Sequence, residues 1–427
     1  MHIPLADDPI NVLGLMTGTS GDGLDGALVR FDGRGGFQFL WHEAFPFPAA
    51  VRARLQALMT RAQAREVRRA AAYVAHLYAE GVAAFRARHP EPIHLLAAHG
   101  QTLDHDPDGD LWDGIPVRGS LQVLDAALLA ERTGLPVTYD FRSRDLAVGG
   151  QGAPLVPFGD LRFFGARCRR GLAVLNIGGI ANLTVIRPRP TVEPSRRGQL
   201  QSGSPEEERS SERLVPTVVA AFDTGPGNML MDALAARLSG GTRSYDEGGE
   251  MARAGQPLPR LLASLLRDPY LARKPPKSTG RDLFGRPREA RIWRAWGRRA
   301  SGADLMATFL EFTVETIVGA LERFVLPEGP LDEVIVAGGG ALNPLLVARL
   351  TDRLRGICPL QRSDVCGVPV MAREAMAFAA LGDAFVRGWP GNVPAATGAR
   401  QPAVLGAFVP GTAYSPISRS STFQDIP

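Results

Sequence analysis

Short apolar runs bounded by glycine-rich turns open the chain, and stretches with helical periodicity follow them. Apolar runs between turn residues are typical of strands, whereas apolar residues at i, i+3 and i+4 indicate amphipathic helices. The elements predicted here are strands at Val12–Met16, Gly26–Phe31, Gly36–Phe47, Ile93–Ala98 and Leu135–Tyr139, and helices over about 49–63, 66–88 and 121–133. A turn at residues 17–23 joins the first two strands.

The same order of elements begins again after residue 170. The predicted elements are strands at Leu172–Ile177, Ile180–Ile186, Thr217–Phe222 and Leu331–Ala337, and helices from about 228, over about 303–325, from about 343 and over about 371–387. Two similar strand-turn-strand openings suggest a duplicated domain with a nucleotide between the halves. The last helix carries small residues on one side (Ala372, Ala375, Ala379 and Gly382), which favours close packing between domains.

The length of 427 residues exceeds what a single hydrophobic core usually supports, so two domains are expected. We predict an α/β protein with domain I at 1–138 plus 372–409 and domain II at 139–371. Residues 187–216 are rich in Pro, Ser, Arg and Glu and nearly free of large apolar residues. Such a segment predicts a disordered insertion at a hairpin tip, and the tail at 410–427 predicts disorder as well.

Composition narrows the function classes. The formal net charge of +4 is small for this length, which disfavours a nucleic-acid partner. No signal peptide or membrane-spanning run is recognisable, and Cys168, Cys358 and Cys366 lack metal or redox spacing. We therefore expect a cytoplasmic protein that acts on small molecules without a membrane partner. A homodimer stays an open alternative, because the sequence does not fix the oligomeric state.

Glycine-rich turns supply the first candidate chemistry. Residues 18–25, GTSGDGLD, lie between two predicted strands, where glycines allow close approach of backbone N–H groups to a polyphosphate. Asp22 and Asp25 could hold Mg²⁺ through water. The alternative is an ordinary hairpin turn with Gly and Asp chosen for their backbone conformation.

Two further glycine turns occur at Gly178-Gly179 and Gly338–Gly340. Neither fits a Rossmann fingerprint, and no Gly-Lys pair exists for a Walker A motif. Each turn alone is a weak signal, but their spacing along the chain indicates a nucleotide site.

Asp223 follows a predicted buried strand and precedes a predicted helix. A carboxylate at such a strand end could act as a general base, and the alternative is a helix N-cap. Both lysines of the chain, Lys274 and Lys277, lie in the segment 274–285, which indicates a site that needs a compact ammonium group, with chance as the alternative. The loop 140–157 carries Arg142, a partner for an anionic group, or else it is an interdomain linker with internal ion pairs.

With these residues assembled, the chain resembles the anhydro-N-acetylmuramic acid kinases, bacterial enzymes of the actin/hexokinase/Hsp70 superfamily. The matching blocks are GLMTGTSGDGLDGAL (14–28), HGQT (99–102), DFRSRDLAVGGQGAPLVP (140–157), LNIGGIANLT (175–184), FDTGPGN (222–228), YDEGG (245–249), PKSTGRDLF (276–284), VAGGGALN (336–343) and EAMAFAALG (374–382). The resemblance implies an actin/hexokinase-like, ribonuclease H-like duplicated fold with an interdomain cleft.

The resemblance also implies a reaction and its residues. ATP and water would open 1,6-anhydro-N-acetylmuramic acid and phosphorylate O6, in the recycling of cell-wall amino sugars. Asp223 would be the base, and Asp22 and Asp25 would hold Mg²⁺. ATP would be bound by Gly18, Thr19, Ser20, Gly21, Asp22, Gly23, Leu24, Asp25, Gly178, Gly179, Gly338, Gly339 and Gly340. The sugar would contact His99, Asp140, Arg142, Gly225, Pro226 and Glu374, and Lys277 would contact phosphate or substrate.

One departure touches substrate specificity, because Gln122-Val123-Leu124 stands where the family pattern leads us to expect Gln-Ile-Gly. Two other functions stay open from the sequence: an ATP-gated interaction protein of the same superfamily, and a sugar kinase with a simple hydroxyl acceptor. Oxygen from labelled water at C1 of the product would distinguish the ring-opening reaction from the simple kinase.

Overall fold

The computed structural model describes residues 8–60, 63–190 and 214–412. The chain divides into two compact units: residues 1–162 with 372–427, and residues 163–371. None of the helices in the described residues is long and apolar enough to cross a membrane.

The first unit is built on a six-stranded sheet in the order β13-β7-β4-β1-β2-β3. Its strands are β1 (Ile10–Met16), β2 (Gly23–Phe31), β3 (Phe37–Pro46), β4 (Leu95–Ala98), β7 (Val137–Tyr139) and β13 (Ala407–Val409). Strands β1 to β3 are antiparallel neighbours, whereas β4 runs parallel to both β1 and β7. The central strand β1 is buried along nearly its whole length, which explains its unbroken apolar sequence.

Helices cover this sheet. They are α1 (Ala49–Thr60), α2 (Ala64–Arg88), α3 (Ala126–Thr133), α4 (Ser143–Ala147), α5 (Val156–Phe164), α14 (Arg373–Arg387) and α15 (Pro394–Thr397). Helix α14 packs closely on the sheet, because a Cβ at Gly14 of β1 would overlap the carbonyl oxygen of Ala375. At the other end of the helix, a Cβ at Gly382 would lie 2.7 Å from Cβ of Ala97. The small residues of this helix therefore pack inside the first unit, and the prediction that they pack between domains is wrong.

A two-stranded ribbon, β5 (Gln101–Trp112) with β6 (Ile115–Val123), extends from the first unit. We predicted part of it as a helix near 121–133, but that helix begins only at Ala126. The ribbon turns at Asp113-Gly114, both with positive φ, and Asp-Gly is a strong hairpin signal. The sequence thus held a recognisable cue for this hairpin.

The second unit is built on a five-stranded sheet in the order β10-β9-β8-β11-β12. Its strands are β8 (Leu172–Ile177), β9 (Ile180–Pro190), β10 (Leu214–Pro226), β11 (Glu333–Ala337) and β12 (Leu360–Arg362). Strands β8 to β10 are antiparallel neighbours, and β11 is parallel to both β8 and β12.

The helices of the second unit bury one large apolar cluster with this sheet. They are α6 (Met229–Leu238), α7 (Glu250–Arg253), α8 (Pro259–Leu265), α9 (Pro269–Ala272), α10 (Arg281–Phe284), α11 (Arg286–Trp296), α12 (Gly302–Phe324) and α13 (Pro344–Leu354). Helix α12 is apolar on most sides and is nearly all buried, as expected for a helix enclosed by the core.

The two sheets share one topology. In each, three antiparallel strands in the order 3-2-1 are followed by two parallel strands beside the first, and the first sheet adds β13, antiparallel to β7, at its edge. The predicted duplicated α/β fold is therefore confirmed, and the chain has the two-domain actin/hexokinase-like architecture.

Two predicted boundaries differ from the structure. Residues 139–162 belong to the first unit and not to the second, because β7 pairs with β13 and the buried carboxylate of Asp145 accepts from Asn392 and Thr397. The predicted insertion 187–216 is ordered at its ends, where 187–190 pair with 214–217 and Arg187 donates to four carbonyl oxygens. Residues 191–213 and 413–427, in the predicted insertion and tail, lie outside the described residues.

Candidate active site

The turn between β1 and β2 leaves backbone donors free. The carbonyl oxygen of Gly18 accepts from the Gly21 N–H at 3.1 Å and from Gln101 Nε2 at 3.2 Å. In the described part of the chain, the N–H groups of Thr19 and Ser20 donate to no protein acceptor. A turn with occupied carbonyls and free amides is suited to bind an anion such as a phosphate.

Two carboxylates border this turn. Asp22 is exposed and accepts from Ser20 Oγ at 2.6 Å, and Asp25 on β2 lies 3.3 Å from His42 Nε2. Leu24 between them is fully buried in the core, so only its backbone could contact a nucleotide.

The donor set fits a nucleotide-bound Mg²⁺ better than a closed metal site. Among the residues that the structure describes, no three or more His, Cys, Asp or Glu side chains come together to hold a metal. Mg²⁺ usually keeps several waters and takes only one or two carboxylates together with substrate phosphates. Asp22 and Asp25, beside free amides, meet that requirement.

His99, which is buried, and Arg142, which is half-buried, form a polar pair in the first unit. The guanidinium of Arg142 donates to His99 Nε2 at 2.8 Å and to the carbonyl oxygen of Gly152 at 2.7 Å. Burial lowers the pKa of His99 to about 3, and the charge of Arg142 acts in the same direction. His99 is therefore neutral at physiological pH, with Nε2 as the acceptor, and it orients the guanidinium.

Glu374 lies in the first turn of α14, and its charge acts on the guanidinium of Arg142. Burial raises the pKa of Glu374, Arg373 and Arg142 oppose that rise, and Asp25 adds to it. Burial also lowers the pKa of Arg142 to about 10, and Glu374 counteracts the shift. These mutual effects join Glu374, Arg142 and Asp25 into one electrostatic cluster in the first unit.

Asp140 directly follows β7 and has an unusual backbone conformation. Its φ is 53°, which non-glycine residues rarely adopt, and its Oδ1 accepts from Ser143 Oγ at 2.6 Å. The side chain thus fixes the start of α4. Strained residues held by their surroundings concentrate at functional sites, which makes Asp140 a candidate on geometric grounds.

Asp223 lies inside β10, and the backbone around it holds its carboxylate. Oδ2 accepts from the Thr279 N–H at 2.8 Å, and in the described residues no donor reaches Oδ1. Burial raises the pKa of Asp223 to about 6, and the Thr279 N–H and the Lys277 charge oppose the rise. The group is therefore mostly ionised at neutral pH and retains one oxygen for a proton.

Asp223 is not a helix cap. Helix α6 begins at Met229, its N-cap is Asn228, and strand β10 continues to Pro226 beyond the carboxylate. The N-cap alternative raised from the sequence is therefore wrong.

Three glycine turns of the second unit converge at the end of β8. The carbonyl oxygen of Gly178 accepts from the Asn228 N–H at 2.8 Å, and that of Gly179 accepts from the Gly227 N–H at 2.9 Å. A Cβ at Gly338 would lie 2.7 Å from Asn176 Oδ1. The turns that the sequence analysis treated separately thus form one cluster.

The glycines of this cluster differ in exposure. Gly179 and Gly339 are exposed, Gly178 and Gly338 are half-buried, and Gly340 is buried on Ile177. Gly225 and Pro226, predicted to contact the sugar, are also buried, with Gly225 against the side chain of Thr316. The exposed glycines are therefore the ones whose backbone a ligand could approach.

Lys277 is buried beside Asp223 and does not extend into solvent. Its Nζ lies 3.4 Å from each of two carbonyl oxygens, those of Tyr270 and Leu271. The ammonium also lies 4.7 Å from the ring centre of Tyr270 and 5.0 Å from that of Phe324. These contacts account for its position without a phosphate.

Several residues at the site were missed from the sequence. Thr279 acts through its backbone N–H, and the hydroxyl of Tyr270 donates to the Asp223 carbonyl oxygen at 2.8 Å. Gln56 donates to the carbonyl oxygen of Ser20 at 3.0 Å, and Gln101 donates to that of Gly18. The blocks HGQT and PKSTGRDLF pointed to Gln101 and Thr279, whereas no sequence pattern marked Gln56 or Tyr270.

Comparison with known proteins finds the same family along nearly the whole chain. The family model described as anhydro-N-acetylmuramic acid kinase matches residues 10–195 and 212–411. The chain is 41% identical over 411 residues to the anhydro-N-acetylmuramic acid kinase of Salinibacter ruber, covering 94% of this chain and 96% of that protein. It is 42% identical over 406 residues to the one of Bordetella petrii, covering 93% and 96%.

A solved structure is also similar. A ROK family glucokinase from Streptomyces griseus, in complex with glucose and AMPPNP, aligns over 87% of this chain and 99% of that chain, at 13% identity and a TM-score of 0.35. That score is too low to add to the fold assignment, which rests on the observed sheet topology.

Proposed function

The chain belongs to the anhydro-N-acetylmuramic acid kinase family, and we propose that it opens 1,6-anhydro-N-acetylmuramic acid with water while it phosphorylates the released oxygen. It is an ATP-dependent phosphotransferase of cell-wall amino sugar recycling. Water attacks C1, the bond from C1 to the bridging oxygen breaks, and that oxygen, now O6, takes the γ-phosphoryl group. The products are N-acetylmuramic acid 6-phosphate and ADP, and the water proton passes to the base.

Asp223 is the proposed base, and the hydrogen bonding of its carboxylate is the main observation in support of the mechanism. One oxygen accepts from the Thr279 N–H, which fixes the group, and Oδ1 takes no hydrogen bond from the described residues. With a pKa raised by burial to about 6, the group is ionised at neutral pH yet basic enough to take a proton.

A single carboxylate suffices for this chemistry. In inverting glycoside hydrolysis one carboxylate activates water and a second acid protonates the leaving oxygen. Here phosphorus takes up the charge that develops on the leaving oxygen, so no second acid is required. Phosphoryl transfer itself asks the protein mainly for positioning and charge stabilisation.

The phosphates of ATP are assigned to the turn 18–25 of the first unit. The free N–H groups of Thr19 and Ser20 support this assignment. Asp22 and Asp25 would hold Mg²⁺ through water, and the ion would neutralise phosphate charge when bound. In the second unit, the exposed backbone at Gly179 and Gly339 supports nucleotide contacts there.

The sugar is assigned to the cluster around Arg142. The substrate carries a carboxylate on its lactyl group, and guanidinium groups bind carboxylates with paired hydrogen bonds. His99 holds the guanidinium at 2.8 Å, and the Glu374 charge lies near it. Asp140, Gly225 and Pro226 remain predictions from the family pattern. A cytoplasmic location is also proposed, since ATP is the phosphoryl donor.

Turnover in ¹⁸O-labelled water with a rapid quench tests the reaction. We expect one ¹⁸O at C1 of the phosphorylated product and none in the phosphate ester. The matched control is unlabelled product kept in the same water for the same time, which measures exchange at C1. A phosphorylated product that retains the anhydro bridge would identify a simple sugar kinase and overturn the proposal. ATP hydrolysis that the sugar does not stimulate would favour an ATP-gated interaction protein.

A further inference from the structure

We propose that Lys277 is a positioning residue for Asp223: its ammonium fastens the segment 275–279 to α9, so that the Thr279 N–H holds the carboxylate in place. This inference rests on the proposed role of Asp223 as the base. It gives Lys277 a different role from the phosphate or substrate contact expected from the sequence.

The segment 275–279 surrounds Asp223 with backbone hydrogen bonds. The Asp223 N–H donates to the carbonyl oxygen of Lys277 at 3.0 Å, while Oδ2 accepts from the Thr279 N–H at 2.8 Å. From α9, the Tyr270 hydroxyl donates to the Asp223 carbonyl oxygen at 2.8 Å. The orientation of the carboxylate therefore depends on how firmly this segment and α9 are joined.

The Lys277 side chain makes that connection. Its Nζ reaches back to the carbonyl oxygens of Tyr270 and Leu271, both in α9. It lies over the rings of Tyr270 and Phe324, where cation–π attraction adds to the two hydrogen bonds. In the described residues no carboxylate lies within ion-pair distance of this ammonium. The residue is only 6% exposed, which leaves little room for a phosphate contact.

The charge of Lys277, like its hydrogen bonds, supports the ionised carboxylate of Asp223. Burial lowers the pKa of Lys277 to about 8, and Arg323 and Arg273 add to the effect, so the group is mostly cationic at neutral pH. Burial raises the pKa of Tyr270, which stays neutral. Among these groups, the Thr279 N–H and the charge of Lys277 are the two that lower the pKa of Asp223 against burial.

The chain offers a matched control, because it contains only two lysines. Lys274 is exposed and lies three residues away, so Lys274→Met removes the same charge without touching the segment's anchor. The test compares Lys277→Met, Lys277→Arg and Lys274→Met with wild type. It measures the pH profile of sugar-dependent kcat/KM, the separate kcat and KM for ATP, and amide hydrogen exchange in peptides that contain Thr279.

For Lys277→Met we expect the acidic limb of kcat/KM to move up by about half a pH unit or more. The value of kcat at pH 7 should fall about threefold to tenfold, with KM for ATP within about twofold, since the effect passes through the base. Exchange of the Thr279 peptide should quicken by about threefold or more. Lys277→Arg should restore part of each change, and Lys274→Met should match wild type.

Two results would contradict the proposed role of Lys277, and a different one would contradict the proposed function. A Lys277→Met variant with the pH profile and exchange of Lys274→Met overturns the inference, and so does a raised KM for ATP with unchanged kcat, which would indicate a phosphate contact. If wild type itself shows no sugar-dependent turnover, the proposed function fails, and the exchange measurement alone decides whether Lys277 holds the segment. Should Lys277→Met not fold, Lys277→Gln takes its place with the same expected results, because its shorter, uncharged side chain removes the ammonium from the carbonyl oxygens of Tyr270 and Leu271.

Discussion

The first hairpin turn of each sheet occupies the same place in the order of strands, but the carbonyl oxygens of the two turns accept hydrogen bonds from different parts of the chain. In the first unit, the carbonyl oxygens of Gly18, Ser20 and Asp22 accept hydrogen bonds from the turn itself or from residues of the first unit. The N–H groups at positions 19 and 20 donate to no protein acceptor in the described residues. In the second unit, the carbonyls of Gly178 and Gly179 accept from the N–H groups of residues 227–229. The N–H groups at the start of α6 are thereby engaged by protein.

This difference shows how one fold, used twice, supports two kinds of chemistry. The free amides of the first turn suit an anionic ligand. The second turn braces the junction between β10 and α6, and the strand that leads into that junction carries Asp223. One turn is suited to binding, and the other supports the strand that holds the candidate base.

The largest expected effect is at the base in the second unit. Asp223→Asn should lower kcat by at least about a hundredfold, the usual scale for a general base, while the Kd for nucleotide stays near the wild-type value. Steady-state kinetics and nucleotide titration measure the two quantities, and Asp282→Asn, an exposed carboxylate in the following segment, is the control. Near-normal turnover would remove Asp223 from this role.

The bracing role of the second turn predicts a stability effect. A Cβ at residue 227 would overlap the carbonyl oxygen of Gly178, so Gly227→Ala should lower the free energy of unfolding by about 2 kcal/mol or more. Thermal unfolding checks this, with Gly119→Ala as the control, since no atom lies within 4 Å of a Cβ there. An unchanged Tm would mean that the junction can rearrange.

The pH dependence of kcat/KM should follow the ionisation of Asp223 in the second unit and not that of His99 in the first. The pKa of Asp223, raised by burial to about 6, predicts that kcat/KM is lost as pH falls through 6, by about tenfold at pH 5. His99 in the first unit, with a pKa lowered by burial to about 3, stays neutral across this range. A profile from pH 5 to 8 tests this, and the limb should vanish from the residual activity of Asp223→Asn. A limb that survives in that variant would assign the ionisation elsewhere.

The smallest expected effect is at the first turn. A methyl group at Gly18 would contact only Ser20 Oγ, at 3.6 Å, so Gly18→Ala should fold normally with an unchanged Tm. It should raise the KM for ATP by about threefold or more, because the methyl group keeps phosphate from the backbone. A fall in Tm without a change in KM would reverse the roles assigned to the two turns.

The sequence predicted most of the fold because both sheets contain strands that are apolar without interruption. Strand β8 was predicted residue for residue at Leu172–Ile177, since it is buried on both faces. The ribbon β5–β6 was missed because it is largely exposed and polar, so no apolar pattern marks its strands. Its Asp-Gly turn was the available cue.

The residues of the candidate site could be predicted from the sequence, but their contacts with one another could not. Asp223 was found because it follows a predicted strand in a recognised sequence block, which says nothing about the partners of its carboxylate. Its partner Thr279 lies 56 residues away and acts through a backbone N–H, which any residue except proline could supply. Likewise the buried state of Lys277 depends on rings contributed by α9 and α12, which only the folded chain brings together.

The placement of α14 has a consequence for synthesis on the ribosome. Helix α14 packs against Gly14 of β1, so one face of the central strand of the first unit stays uncovered until residues 373–387 have been made. The whole second unit, 163–371, is translated in between, which takes about 10–40 s at ordinary rates of elongation. Through that interval one apolar face of the nascent first unit's central strand stays exposed, whereas the second unit can fold from one continuous segment. Chaperone dependence should therefore be concentrated in the half of the protein that is synthesised first and completed last.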